Sequence, residues 1–372
     1  MRKTFKRLFK RLLYFCAPKK SIVFESCPDV GDNPKAVFDE MLSRGLNKKY
    51  KLIWLLYDEK REYPSLPGVE YVQNGTKAYT KAMRTAKCFI CCNRFVYSNI
   101  PEQKAFFLTH GMYVKNPKAY YKMPEEIDYC LSSSKPLEEM QANAVSAPLE
   151  KMFSLGYPRN DVLTQPPLDL RKYFGEYKKF IVWYPTFRQH NTGMGTGSTH
   201  AYPVIWDEAA AQKVNEAAKN AGVLVILKPH FAQDTSKLRA MQLSNIRLID
   251  DAFFKDNRLT SYEFVGSCDA LLTDYSSVYF DYTLCDKPIG LIWEDYAEYE
   301  SNPGFALDMD FYMKGGVKIY DAAQFAAFIQ DVADGVDKLQ KERREIRDLS
   351  NYATDGKSAV RVTDFIIQKA KL

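Results

Sequence analysis

The sequence predicts an α/β fold with two doubly wound domains. Its 372 residues exceed what one hydrophobic core usually organises. From residue 21 onward, short apolar runs alternate with helix-like patterns, the rhythm of parallel strands covered by helices. That rhythm pauses at Gln165-Pro166-Pro167 and the charged stretch up to Lys179, then restarts.

Residues 1–17 read as an amphipathic helix. Phe5, Leu8, Phe9, Leu12 and Leu13 share one helical face, while Lys3, Lys6, Arg7, Lys10 and Arg11 lie largely off it. The apolar stretch is far shorter than the ~18 residues of a spanning helix, and no small-residue cleavage site follows it. This pattern predicts a helix lying on an anionic membrane, where each basic residue contributes on the order of 1 kcal/mol. A solvated helix packed on its own domain is the alternative. A first domain follows over 18–168, with strands expected at 21–25, 51–56, 69–73, 88–92, 106–109, 129–132 and 153–155, and helices at 34–44 and 76–86. A second spans 169–352, with strands at 180–184, 223–227, 246–249, 270–273 and 289–293. Its helices are expected at 205–221, 260–268, 276–285, 322–333 and 338–352. A last helix within 353–372 is expected to cross back onto the first domain.

The net charge of +6 is local. The first 20 residues hold eight of the 52 Lys and Arg and no acidic residue, leaving 44 basic against 46 acidic residues in the rest. A nucleic-acid-binding body is therefore not expected. The eight cysteines sit mostly in apolar runs, and none has a partner pair at zinc spacing, which fits buried, reduced thiols and the cytoplasm.

Two segments look like the jaws of a diphosphate clamp: Lys228-Pro229-His230 and Thr273-Asp274-Tyr275-Ser276-Ser277. Each follows an apolar run, at the carboxyl edge where open α/β sheets bind ligands. Ser276 and Ser277 open a helix-like stretch, offering hydroxyls and free N–H groups to an anion. Arg188 ends a similar run and its guanidinium suits phosphate oxygens. Asp281, four residues after Ser277, shares its helix face and could orient that serine or bind a substrate hydroxyl. In the first domain, His110 and Gly111 end the run 105–109, and a strand-end imidazole beside glycine suits proton transfer. Lys115, Arg159 and Asn160 add polar groups there. His190 and His200 flank the glycine-containing loop 189–203 and read as bystanders. That loop lacks the Lys-Ser or Lys-Thr of a phosphate-binding loop, so it is either a mobile surface loop or a lid. Asp308-Met309-Asp310 has no neighbouring ligand cluster, so no metal is expected.

Taken in order, His110-Gly111-x-x-x-Lys115, Tyr184-Pro185-Thr186-Phe187-Arg188, Lys228-Pro229-His230 and the run from Thr273 to Tyr282 resemble the CDP-glycerol glycerophosphotransferase family. These are teichoic acid primases, polymerases and related capsule polymer transferases. Gly156-Tyr157-Pro158-Arg159-Asn160-Asp161 is also similar to a family segment. The resemblance implies a GT-B fold, with an acceptor-side first domain and a nucleotide-side second domain facing it across a cleft. It implies attachment to the cytoplasmic face of the membrane and a lipid-linked glycan or polymer as acceptor. The reaction would be cofactor- and metal-free transfer of an alditol phosphate from CDP-glycerol or CDP-ribitol, releasing CMP. His110 would be the general base and His230 a second catalytic group. Arg188, Lys228, His230, Ser276 and Ser277 would hold the donor diphosphate, with Thr273, Asp274 and Asp281 in the same donor segment. Gly111, Lys115, Arg159 and Asn160 would line the acceptor side. Met112 departs from the threonine the family commonly carries there, which points to a different acceptor. A nucleotide-sugar glycosyltransferase of the same fold and an inactive membrane scaffold are the competing readings.

Overall fold

The computed structural model describes residues 21–57, 62–98, 100, 102–115, 122–188, 202–230, 233–302 and 304–372. The expected N-terminal helix, His190, His200 and most of the glycine loop lie outside them. The chain forms two compact units. The first gathers the described residues of 1–112, 118–161 and 355–372, the second those of 113–117 and 162–354.

In the first unit, the strands β1 (Ser21–Glu25), β2 (Lys51–Leu56), β3 (Val69–Gln73), β4 (Ala86–Cys91), β5 (Lys104–Phe107), β6 (Tyr129–Ser132) and β7 (Met152–Ser154) make one sheet. Among the described residues it has seven strands, all parallel, in the order β3-β2-β1-β4-β5-β6-β7. Its central strands are apolar on both faces because helices cover both. Phe24, Phe38 and Trp54 pack with ring centres 5.2–5.5 Å apart beneath the helix Asp32–Ser43. The last helix, Ser358–Ala370, buries Val362, Ile366 and Ala370 in the same core and stacks Phe365 on Phe153 at 4.3 Å. Its start is fixed by Asp161, whose carboxylate accepts from the Ser358 and Ala359 N–H groups at 2.9 and 2.7 Å. Gly156 must be glycine: it has φ +81°, and a Cβ there would lie 2.4 Å from Ser358 Oγ.

In the second unit, β8 (Lys179–Trp183), β9 (Val223–Leu227), β10 (Ile246–Leu248), β11 (Ala270–Thr273), β12 (Ile289–Ile292) and β13 (Val317–Ile319) form a parallel six-stranded sheet among the described residues, in the order β10-β9-β8-β11-β12-β13. The helices Glu208–Ala221 and Ala322–Asp334 bury their apolar sides in one core, with Trp183 meeting Phe325 edge to face at 5.5 Å. The first of these starts at 208 because Asp207 caps it, accepting from Ala210 N–H at 2.7 Å. The segment after Asp161 belongs to this unit: Phe174 packs on Phe253 and Phe264, and Leu168 N–H donates to Ser267 Oγ at 2.8 Å. In both sheets the strand order reverses beside the first strand, between β1 and β4 and between β8 and β11. Those carboxyl edges are the places where such sheets open a crevice.

Candidate functional site

Beyond β5 the first unit holds His110 on a strained turn. Thr109 has φ +51°, costly for a β-branched residue, and Gly111 has φ +133°. The turn is tied down by a residue the sequence reading missed. Asn33 is fully buried, and its Nδ2 donates to the Leu108 and Thr109 carbonyls at 3.1 and 2.9 Å. Its Oδ1 accepts from Arg159 N–H at 3.1 Å. Arg159, expected on the acceptor side, turns inward: Nη1 lies 2.9 Å from both Asp32 carboxylate oxygens and 2.6 Å from the His110 carbonyl. Asn160 is buried beside it. Asp32 and Asn33 read locally as an ordinary helix start. Only their position after β1, at the strand-order reversal, could have flagged them.

Burial lowers the His110 pKa below the usual imidazole value. The Asp32 carboxylate and a hydrogen bond to the Cys92 backbone oppose that, while the Arg159 charge adds to it. The ring is therefore neutral at pH 7, the form that accepts a proton.

In the second unit, three segments leave adjacent strands together. Lys228 N–H donates to the Trp183 carbonyl at 3.0 Å and Tyr184 N–H to the Leu272 carbonyl at 2.9 Å. Beyond this line the predicted donor residues separate into two groups. Arg188, expected to fork onto phosphate, forks instead onto two carboxylates: Nη1 to Asp274 and Nε to Asp295, both at 2.6 Å, with all three side chains buried. Asp274 also accepts from Thr186 N–H and Oγ1, at 2.8 and 2.5 Å. Thr273 donates its hydroxyl to the Tyr184 carbonyl at 2.7 Å, and Asp281 accepts from the Tyr262 hydroxyl at 2.5 Å rather than orienting Ser277. These four residues brace the framework because their polar atoms are consumed internally.

The others lie nearer the surface. Ser276 and Ser277 are partly exposed, and the helix Val278–Tyr282 starts without a side-chain cap from Ser277. Lys228 Nζ lies 3.1 Å from Asp251, an exposed carboxylate. His230 is exposed, with its ring 4.8 Å from that of Phe187. Partial burial and the charges of Lys228 and Lys115 lower its pKa, against the pull of Asp251. Lys115, read from the sequence as a first-domain residue, belongs to this unit. It pairs antiparallel with Phe305, and its ammonium lies 5.4 Å from the Tyr299 ring centre. Asp308 and Asp310, read as unfit for a metal, have local roles: Asp308 caps the helix Met309–Tyr312, and Asp310 pairs with Lys318 at 2.5 Å.

The sequence reading also missed Asp295. It follows β12 without a motif, yet it closes the Arg188 fork and accepts from the Tyr275 hydroxyl at 3.0 Å.

The family described as CDP-Glycerol:Poly(glycerophosphate) glycerophosphotransferase matches residues 8–368. The teichoic acid poly(glycerol phosphate) polymerase of Staphylococcus epidermidis is 26% identical over 336 residues, covering 80% of this chain and 41% of that protein. The chain thus spans less than half of that relative's length. The teichoic acid glycerol-phosphate transferase of Staphylococcus aureus is 25% identical over 361 residues, covering 85% of this chain and 87% of that one. A structure of the wall teichoic acid polymerase TagF soaked with CDPG aligns with a TM-score of 0.77 at 22% identity, covering 100% of this chain and 97% of that chain. That likeness is one of fold, a GT-B-like pair of parallel α/β units.

Proposed function

Because the chain belongs to the CDP-glycerol:poly(glycerophosphate) glycerophosphotransferase family, we propose that it moves an alditol phosphate from CDP-glycerol or CDP-ribitol to a hydroxyl of a membrane-associated glycan or polymer, releasing CMP. The observation that carries this reading is the β8–β9–β11 edge. There, backbone hydrogen bonds set the Lys228–His230 and Thr273–Ser277 segments at the ends of β9 and β11, the strands on either side of β8, and among the described residues no hydrogen bond consumes the Ser276 and Ser277 hydroxyls.

His110 takes the proton of the acceptor hydroxyl. The resulting oxygen attacks the phosphorus that bears the alditol, a new P–O bond forms, and the bond to the bridging oxygen breaks. CMP leaves with the electron pair. Charge on the phosphoryl oxygens and on the departing phosphate grows during this step; Lys228 supplies fixed positive charge for it, and His230, Ser276 and Ser277 supply hydrogen-bond donors. Arg188, Asp274, Asp295 and Thr186 act one layer beneath, holding the loop after β8 against that after β11. Purified protein is tested with CDP-glycerol, CDP-ribitol and UDP-sugars beside a lipid-linked acceptor. The expected result is CMP release with an acceptor mass gain of one alditol phosphate. Turnover of UDP-sugars alone would instead favour a glycosyltransferase.

Residues 1–17 hold the enzyme at the acceptor-bearing membrane in this reading. No helix among the described residues is long and apolar enough to cross a membrane. Removing residues 1–17 is expected to abolish sedimentation with anionic phosphatidylglycerol vesicles and spare binding of CDP-glycerol. Undiminished sedimentation would remove this segment from membrane attachment.

A further inference from the structure

The helix Lys77–Thr85 turns a row of cations to solvent. Lys77, Lys81 and Arg84 recur at i, i+4 and i+7, so they share one side of it, and all three are exposed. The other side, with Tyr79, Ala82 and Met83, is buried or half-buried where the helix packs on β1 and β3. Among the described residues no carboxylate lies within ion-pair distance of the three cations. The helix Asp32–Ser43 of the same unit is arranged differently: Lys35 meets Asp39 and Arg44 meets Glu40, each four residues apart. Nothing nearby in sequence neutralises the row, because between Glu70 and Glu102 the chain has Lys77, Lys81, Arg84, Lys87 and Arg94 and no acidic residue. Like charges at this spacing repel and disfavour the helix that carries them.

A second observation indicates what covers the row. β1 begins at Ser21, whose hydroxyl lies 3.3 Å from that of Thr85, the last residue of this helix, and whose backbone is in register with Ala86. The preceding 20 residues, with eight Lys and Arg and no acidic residue, therefore join the fold at the end of the cationic row. Two basic segments meeting at one edge suit an extended anionic surface, and a bilayer containing anionic lipids is such a surface. We propose that the face of Lys77, Lys81 and Arg84 is a second membrane contact, which lies against anionic lipid headgroups and orients the first unit on the bilayer. This rests on the membrane attachment proposed above and adds a folded surface to it.

The test is sedimentation of the full chain with vesicles of equal parts phosphatidylglycerol and phosphatidylcholine. Lys77→Gln, Lys81→Gln and Arg84→Gln combined should weaken partitioning roughly ten- to a hundredfold, while keeping the CDP-glycerol affinity and melting temperature of the wild-type protein. Lys172→Gln, Lys213→Gln and Lys219→Gln combined remove the same charge from exposed sites on the second unit. They should change partitioning by less than about threefold, because charges held away from the lipid are screened. Equal weakening in both variants would make the effect one of net charge and overturn the assignment of this face. Unaltered partitioning of the first variant also overturns it, while loss of sedimentation on removing residues 1–17 still upholds membrane attachment. Wild-type protein that fails to sediment overturns both. A first variant that partitions normally but no longer retains soluble polyphosphate would give the row to a polyanionic polymer, and that too overturns the proposal.

Discussion

Replacing His110 by alanine is expected to lower transfer by roughly 10²–10⁴-fold while changing the affinity for CDP-glycerol little. The turn that carries His110 is braced by the first-unit residues Asn33, Asp32 and Arg159, whereas the proposed donor groups lie on the second sheet. In the proposed mechanism turnover depends on its neutral form. Its folded-state pKa is depressed below 6.5, so activity should hold at pH 7 and fall as the pH drops through that depressed value. Asp32 raises the His110 pKa and Arg159 lowers it. Asp32→Asn both removes the first influence and leaves the second unopposed. The acid limb of kcat/KM should therefore move to lower pH in that variant. Equal losses of donor affinity and turnover in His110→Ala would take His110 out of the base role.

The second large effect concerns Arg188, and it is one of stability. Arg188 and Asp274 are each 1% exposed at the side chain, and Asp295 is 7% exposed. Removing the guanidinium leaves two buried carboxylates without a counter-charge. Breaking one buried pair typically costs about 3–5 kcal/mol, a large share of the roughly 5–15 kcal/mol that stabilises a domain. Arg188→Met should therefore lower the urea midpoint of the second unit steeply. Arg188→Lys should recover only part of it, because a single ammonium cannot fork onto two carboxylates. Combining Arg188→Met with Asp274→Asn and Asp295→Asn should restore much of the loss, since no uncompensated charge remains. If Arg188→Met instead kept its stability and lost only affinity for CDP-glycerol, the guanidinium would be a phosphate ligand, as the sequence motif suggested.

That contrast shows what the sequence carried. Strands such as β1, β2 and β9 were legible to the residue, because a strand buried on both faces is an uninterrupted apolar run bounded by polar turns. β13 escaped notice: three residues at the sheet edge, one of them Lys318, leave almost no hydrophobic signal. The strand-end positions of His110, Arg188, Lys228 and Ser276 were readable for the same reason as the strands. The direction of each side chain was not. Nothing local to Arg188 reveals that Asp274 and Asp295 will converge on it, since the three lie on different strand ends and meet only once the sheet has formed. Lys115 likewise changes unit through a single antiparallel bridge to Phe305, a long-range pairing with no periodic signature.

The most direct measurement follows the phosphorus. With CDP-glycerol labelled with ³²P at the phosphate that bears glycerol, alditol phosphate transfer should send all of the label into the lipid-linked acceptor and leave the released CMP unlabelled. Label released with the nucleotide as CDP would show that the bond broken lies on the other side of that phosphorus, and would contradict the proposed chemistry.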